Sequence, residues 1–333
     1  MQLTDYKGIW VFAEHRNGRI SDITFELLAK AKELSDKNDE GVVAILLARD
    51  AGDMSQKLLN RGGDRVIVVE SDHLKEYKAI TCAKVLEALV DKYRPSILLF
   101  GATSMGKDLA PRVMAKLRTG LTADCMDLDI DGDGLLIQTK PSYGGNIMCK
   151  ILCPTRRPQM ATIRPKVFSQ LEEMENPKGE IVIENISVEP ENDYEILEHV
   201  AYETEGVKIE EAEIVVVAGR GVSSKDDMKM IEDLAKELHG AIAVTRPLVD
   251  AEWYDPSIQV GASGKTIKPK LIVNIGVSGA IQYNVGMQNA KNIVSINKSP
   301  KAPIFSISHY GIVGDYKRIV PLLTEEIKKT RSQ

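Results

Sequence analysis

Short apolar runs recur along this chain, and segments of helical period separate them. Gly8-Ile-Trp-Val-Phe12 predicts a strand. Asp22 to Leu34 predicts a helix, because Ile23, Leu27, Leu28, Ala31 and Leu34 share one face at that period. Val42 to Leu47 predicts a second strand, Met54 to Arg61 a short helix, and Arg65 to Val69 a third strand. Tyr77 to Tyr93 reads as a helix closed by Arg94-Pro95. Ser96 to Phe100 is a fourth strand, and Lys107 to Leu117 the next helix. Repeated strand–helix units with short connections predict a parallel sheet covered by helices on both faces.

From Thr122 to Arg164 the pattern changes to short strands and turns, with Asp131-Gly-Asp-Gly134 and Tyr143-Gly-Gly-Asn146 as turn signals. This region is expected to add antiparallel strands to the same sheet, making it mixed, with Glu180 to Val188 as its last strand. An acidic stretch, Glu189-Pro-Glu-Asn-Asp193, opens a mostly polar segment that runs to Ala212. These features predict an N-terminal α/β domain over residues 1–190, a linker over 191–212 and a smaller domain over 213–333. In the smaller domain Ile214 to Ala218, Ala241 to Thr245, Leu271 to Ile275 and Ile293 to Ile296 read as strands. Helices are expected over Asp226 to Leu238, from about Gly279, and from near Asp315. That is the plan of a doubly wound, flavodoxin- or Rossmann-like α/β domain.

At 333 residues the chain is long enough for two such domains. Its net charge of -5 builds no polyanion-binding surface, so nucleic acid is not an expected partner. No run approaches the roughly 18 apolar residues of a membrane span. The start, Met1-Gln-Leu-Thr-Asp-Tyr-Lys7, lacks the basic-then-apolar plan of a signal peptide. A cytoplasmic, bacterial protein is expected; a mitochondrial matrix location would need an import signal that is not visible.

Several chemical signals dissolve on inspection. Asp127-Leu-Asp-Ile-Asp-Gly132 opens like a calcium loop, but Gln138 stands where a bidentate Glu is needed. Gly264-Lys-Thr266 resembles the tail of a P-loop, but Gln259 replaces its first glycine. Gly276-Val-Ser-Gly-Ala280 falls one glycine short of a nucleophile elbow, and no His partner presents itself. The histidines are scattered without metal-ligand spacing, and Cys82, Cys125, Cys149 and Cys153 form no Cys-x-x-Cys pair, so no metal site is expected.

Two glycine blocks remain. Gly219-Arg-Gly-Val-Ser-Ser224 lacks the third glycine of a dinucleotide fingerprint. Asp226 and Asp227 fall in its first helical turn, so no phosphate is expected there. Gly276-Val-Ser-Gly-Ala280 follows the apolar strand ending at Ile275 and enters a helix with no acid in its first turn. Its free N–H groups and the Ser278 hydroxyl can receive an anion, which places a pyrophosphate near Ser278 to Gln282.

These blocks recur with others in a fixed order: Gly219-Arg-Gly221, Thr245-Arg246, Gln259-Val-Gly261, Gly264-Lys265, Gly276 to Gln282, Ile296-Asn-Lys298, Ala302-Pro-Ile-Phe305 and Tyr310-Gly-Ile-Val-Gly-Asp315. The series resembles the α subunit of electron transfer flavoprotein, across the whole chain and most strongly from Ile214 to Pro321. The resemblance implies an FAD held by the second domain of a heterodimer, with the first domain packing on the β subunit and binding no cofactor itself. It implies that Arg220, with Gly221, contacts the flavin or its phosphates, that Thr245 hydrogen-bonds the cofactor, and that Arg246 lies against the isoalloxazine ring and tunes it. Gln259, Val260, Gly261 and Ser263 would line the ring edge, and Gly276, Ser278, Gly279, Ala280, Ile281 and Gln282 the pyrophosphate and ribityl chain. Asn297, Asp315 and Tyr316 would meet the far end. Tyr283 stands where many members have His near the flavin O2, offering a neutral donor, and Ser263 where Thr is usual near N5.

A guanidinium beside a flat π system raises that system's electron affinity. The expected function is therefore single-electron transfer through the flavin, to or from acyl-CoA dehydrogenase-type partners. The turn Gly144-Gly-Asn-Ile147 and the stretch Arg157 to Pro165 resemble the anaerobic, electron-bifurcating branch. There a second FAD on the β subunit takes a hydride from NADH, and ferredoxin or flavodoxin receives one electron. From other classes, an NAD-dependent dehydrogenase would need an acid–base residue that the chain does not nominate, and a pure scaffold would take up no FAD.

Overall fold

The computed structural model describes residues 3–142, 147–175, 177–189, 194–198 and 208–331. They divide into two compact units, one ending before and one beginning after residue 200. The turn at 143–146 and most of the expected linker lie outside the described residues.

The first unit contains strands β1 (Ile9–Phe12), β2 (His15–Arg16), β3 (Arg19–Ile20), β4 (Val42–Ala48), β5 (Arg65–Glu70), β6 (Ile97–Gly101), β7 (Leu121–Cys125), β8 (Asp127–Ile130), β9 (Leu136–Ser142), β10 (Ile147–Ile151), β11 (Gln159–Ile163) and β12 (Glu180–Ile183). Its helices are α1 (Asp22–Asn38), α2 (Met54–Asn60), α3 (Ala79–Tyr93) and α4 (Ser104–Leu117). Seven strands form one sheet in the order β12-β5-β4-β1-β6-β11-β7, and every pairing is parallel. The alternation in β1 sends Ile9 and Val11 to the face covered by Leu27, Leu34 and Leu58, and Trp10 and Phe12 to the face covered by Leu86, Leu89 and Val113.

The expectation that the Thr122 to Arg164 region adds antiparallel strands to this sheet is corrected. β7 and β11 join it in parallel, while β8, β9 and β10 form a separate antiparallel sheet. The reason is burial. All five residues of β11 are buried, as befits an inner strand of a parallel sheet. β10, by contrast, has four exposed residues of five and is an edge.

The second unit contains β13 (Ile214–Ala218), α5 (Met228–Glu237), β14 (Ala241–Val244), α6 (Arg246–Asp250), β15 (Leu271–Ile275), α7 (Ile281–Asn284), β16 (Ile293–Asn297), β17 (Tyr310–Val313) and α8 (Tyr316–Arg331). Its sheet order is β14-β13-β15-β16-β17, wholly parallel. This is the flavodoxin-like order, with its switch point between β13 and β15. Helices α5 and α8 cover the face of Val216, Ala218 and Val273, and the chain around Tyr283, Met287 and Ile304 covers the other. The long helix expected from about Gly279 is only the four residues of α7. Gly279 has φ +83 and lies against Ile304, where a Cβ would sit 2.2 Å from the backbone nitrogen, so helical geometry cannot start there. Among the described residues no helix is long and apolar enough to cross a membrane.

The first sheet has its own switch point, at β1 between β4 and β6. Glu14, just beyond β1, is buried there and accepts a hydrogen bond from Thr103 Oγ1 at 2.7 Å. Its other oxygen, Oε1, has no partner among the described residues and abuts Gly101 and Gly106. Burial pushes its carboxyl up from 4.5 to about 7. Between those values the folded chain holds a proton that the unfolded chain releases, so this contribution to stability is full below 4.5 and is lost as pH rises through 7. Glu14→Gln removes that dependence. Relative to the wild type the variant should gain about 1.4 kcal/mol per pH unit across this window, then level off. Urea denaturation at a series of pH values measures it, and parallel stability curves would reject it.

Candidate functional site

The loops that leave β13 and β15 touch at the switch point. Gly219 donates its N–H to the Ile275 carbonyl at 2.9 Å, and Gly221 donates to the Gly276 carbonyl at 2.8 Å. A Cβ on either Gly219 or Gly221 would lie 2.6 Å from the Gly276 oxygen, and Gly276 has φ +63. These glycines therefore let two backbones approach each other. Gly221 and Gly276 also form part of the cavity wall.

Beyond this contact the chain from Val277 to Gln282 has an unusual polarity. Every carbonyl in it is taken. Val277 O accepts from Asn297 Nδ2 at 2.8 Å, Ser278 O from Ile304 N at 3.0 Å, and Gly279 O from Asn284 Nδ2 at 3.0 Å. Ala280 O accepts from the amides of Tyr283 and Asn284, Ile281 O from Val285 N, and Gln282 O from Ala262 N. The six N–H groups of the same segment donate to no acceptor among the described residues. A backbone run with its acceptors spent and its donors free is an anion receptor.

The opposite wall is built by the ends of β14 and of the loop that follows α6. Thr245 caps α6, and its hydroxyl makes no cap bond. Gln259 bridges to Val244 in parallel fashion, and the loop then returns so that Lys265 N donates to Gln259 O at 2.7 Å. Gly264 is required at that return, since a Cβ would lie 2.3 Å from the same oxygen. Together these segments enclose a cavity of about 690 Å³, a volume in the range of cofactor clefts. The charged residues lining it are Arg220 and Arg246, both cationic.

Most residues singled out in the sequence meet here. Arg220, Gly221, Thr245 and Arg246 line the cavity, as do Gln259, Val260, Gly261 and Ser263. Gly276, Ser278, Ala280, Gln282, Tyr283 and Asn297 complete the set. Gly279, in the same loop, and Ile281, at the start of α7, are not on the cavity wall. Asp315 and Tyr316 are not brought to it either. Asp315 Oδ1 instead caps α8 by accepting from Lys317 N at 2.9 Å. The Tyr316 hydroxyl donates to Asp227 Oδ2 at 2.7 Å and accepts from Ser223 N, tying the loop after β13 to α8.

Three of these side chains have partners of their own within the protein. The Tyr283 hydroxyl is not offered to the cavity: it is buried and donates to Asn274 Oδ1 within the core, and burial pushes its pKa well up. Asn274 donates in turn to Ser295 Oγ at 3.2 Å, and Ser308 donates to Ser295 at 2.7 Å, so the ring is held by a chain of neutral groups. The Asn297 amide, on the cavity wall, donates to Val277 O and accepts from Ser299 N. Arg246 is two-thirds exposed and pairs with Asp250 at 3.4 Å, one helical turn on, so its charge is partly screened. Pro247, Ala262 and Val277 also line the cavity and were not singled out. Their only signal was adjacency to residues that were.

Fold and site together define a doubly wound α/β protein with a cationic, amide-lined crevice at a switch point. Residues 9–189 match the Electron transfer flavoprotein domain, and residues 208–288 match the Electron transfer flavoprotein FAD-binding domain. The chain is 43% identical over 330 residues to the electron transfer flavoprotein subunit alpha of Thermoanaerobacterium thermosaccharolyticum, covering 99% of this chain and 100% of that one. It is 42% identical to the LctC subunit of lactate dehydrogenase (NAD(+),ferredoxin) from Acetobacterium woodii, over 97% of this chain and 77% of that one. It is 35% identical to the acryloyl-CoA reductase electron transfer subunit beta of Anaerotignum propionicum, over 99% and 98%. The chain belongs to the electron transfer flavoprotein α-subunit family.

Tyr283→Phe tests the buried chain. It removes the donor to Asn274 Oδ1 and should destabilise the second unit by about 1–3 kcal/mol, the cost of an unsatisfied buried acceptor. Guanidinium denaturation followed through this unit measures it, and an unchanged midpoint would show that Asn274 finds another donor.

Proposed function

We propose that this chain is the FAD-holding α subunit of a heterodimer and passes single electrons between its flavin and acyl-CoA dehydrogenase-type partners in the cytoplasm. The observation that carries this reading is the Val277–Gln282 segment, which has six unpaired amides and no free carbonyl and brings Val277, Ser278, Ala280 and Gln282 to a cavity lined by two arginines. Its donors suit a pyrophosphate, and Arg220 adds a cation that can reach phosphate or ring. Bound FAD supplies the one-electron redox chemistry. The chain's own residues bind and bias it: Thr245 offers a free hydroxyl, and Arg246 a cation on the same wall. Gln259 to Ser263 form a tight loop that a flat ring edge can follow.

A second reading keeps the site and changes the complex. Two relatives are named for NAD(+)- and ferredoxin-linked lactate dehydrogenase and for acryloyl-CoA reductase. These names favour a bifurcating assembly, in which the β subunit holds a second FAD and ferredoxin or flavodoxin takes one electron. Counting cofactors in the purified heterodimer separates the two. Two FAD per heterodimer supports bifurcation, and one FAD with AMP supports the simple carrier.

Arg246→Ala should lower the flavin potential and reduce the one-electron-reduced signal in a dithionite titration. Its guanidinium is exposed, so the expected change is of the order of 1 kcal/mol, about 40 mV per electron. An unchanged titration would remove Arg246 from the role of tuner.

A further inference from the structure

Within the cavity wall, Gln259 and Ser263 form a pair whose direction matters. Gln259 is buried, and its Nε2 donates to Ser263 Oγ at 3.0 Å. Ser263 is exposed and lines the cavity. The loop between them cannot relax easily. Gly261 has φ +138 and donates its N–H to Lys265 O at 3.1 Å, and Lys265 N returns to Gln259 O. A serine hydroxyl carries one proton and two acceptor positions. The Gln259 amide fills one acceptor position, so the proton cannot point at Gln259. The open side of Ser263 is the cavity.

Resting on the flavin reading above, we propose that Gln259 is a positioning residue that fixes the Ser263 hydroxyl as a hydrogen-bond donor toward the bound ring system. The acceptor it suits is an sp2 ring nitrogen or carbonyl oxygen that carries no proton. Full reduction of such a ring adds a second electron and a proton at the nitrogen, and the new N–H then meets an O–H head on. Ser263 can accept from that N–H only by turning its proton aside, and Gln259 already occupies one of its acceptor positions. The pair therefore opposes the second, proton-coupled electron relative to the first. Ser263 would touch the ligand, and Gln259 acts through it.

The test uses the heterodimer with its β subunit and FAD bound. Gln259→Met keeps the side-chain length and removes the donor, freeing the Ser263 hydroxyl to turn. The equilibrium constant separating the two one-electron steps, read by absorbance and electron spin resonance during dithionite titration, should fall about fivefold, the scale of one ordinary net hydrogen bond. Gln259→Glu replaces the donor with an acceptor and should shift the constant further in the same direction. It also serves if the Met variant does not assemble. In a Ser263→Ala background the Met substitution should have no effect, and the Glu substitution should have only the effect of its charge. Shifts of equal size with and without Ser263, or no shift in either variant, overturn the proposal. A wild-type heterodimer without flavin absorbance overturns the FAD reading instead, and that is seen before any variant is made.

Discussion

The backbone contact between the loops after β13 and β15 sets the geometry of the second unit's site. These neighbouring strands send their chains to opposite faces of the sheet, one to α5 and the other toward Tyr283 and Met287. At a switch point such chains part and leave a crevice. Here they first lie flush, joined by the N–H of Gly221 and the carbonyl of Gly276, and only then separate. The floor of the crevice is thus main chain, and a side chain at Gly219, Gly221 or Gly276 would force it apart. The cavity, its amide row and the position of Arg220 all follow from that contact.

The two sheets treat their switch points in opposite ways. In the second unit the crevice is open and its charged wall residues are cationic. In the first unit Glu14 fills the corresponding place, its carboxyl wedged against Gly101 and Gly106 and held by Thr103 at the start of α4. Similar strand topology therefore carries different electrostatics. One site presents donors and positive charge to an incoming anion. The other is occupied by the protein's own acid, whose burial keeps it protonated up to near neutral pH.

Hydrophobic periodicity located most strands of the sheet interiors, though not β11, to within a residue or two, because continuous apolar runs such as Val42–Ala48 and Leu271–Ile275 have no other stable use. It missed β17, whose four residues are all exposed at the sheet edge and carry no burial signal. It also misassigned the partners of β7 and β11, since local pattern records that a strand is buried but not what it pairs with. At the site, the ordered motifs named nearly every wall residue, yet not which atoms face inward. The Tyr283 hydroxyl turns to Asn274, and the Asn297 amide to Val277, because the core beneath each offers a buried partner that only the folded chain brings near. Asp315 and Tyr316, close in sequence to the same motifs, are consumed in starting α8 and in anchoring the loop after β13.

The truncated helix changes how the carbonyls beside the donor row are satisfied. A helix leaves its first four N–H groups without intrahelical partners and spends the rest on its own carbonyls. Periodicity predicts such a helix from Gly279. Instead Gly279 is held at positive φ against Ile304, and α7 begins two residues later. The residues before it stay non-helical, with their carbonyls claimed by Asn297, Ile304 and Asn284, which lie on three different segments. Side chains and a neighbouring loop thus do the work of satisfying acceptors that a helix would have done internally. The amides are left over, six in succession, and four of these residues, Val277, Ser278, Ala280 and Gln282, share the cavity wall with Arg220. What looks from the sequence like an ordinary helix start is a helix withheld, and in its place stands a loop whose acceptors are satisfied from outside it.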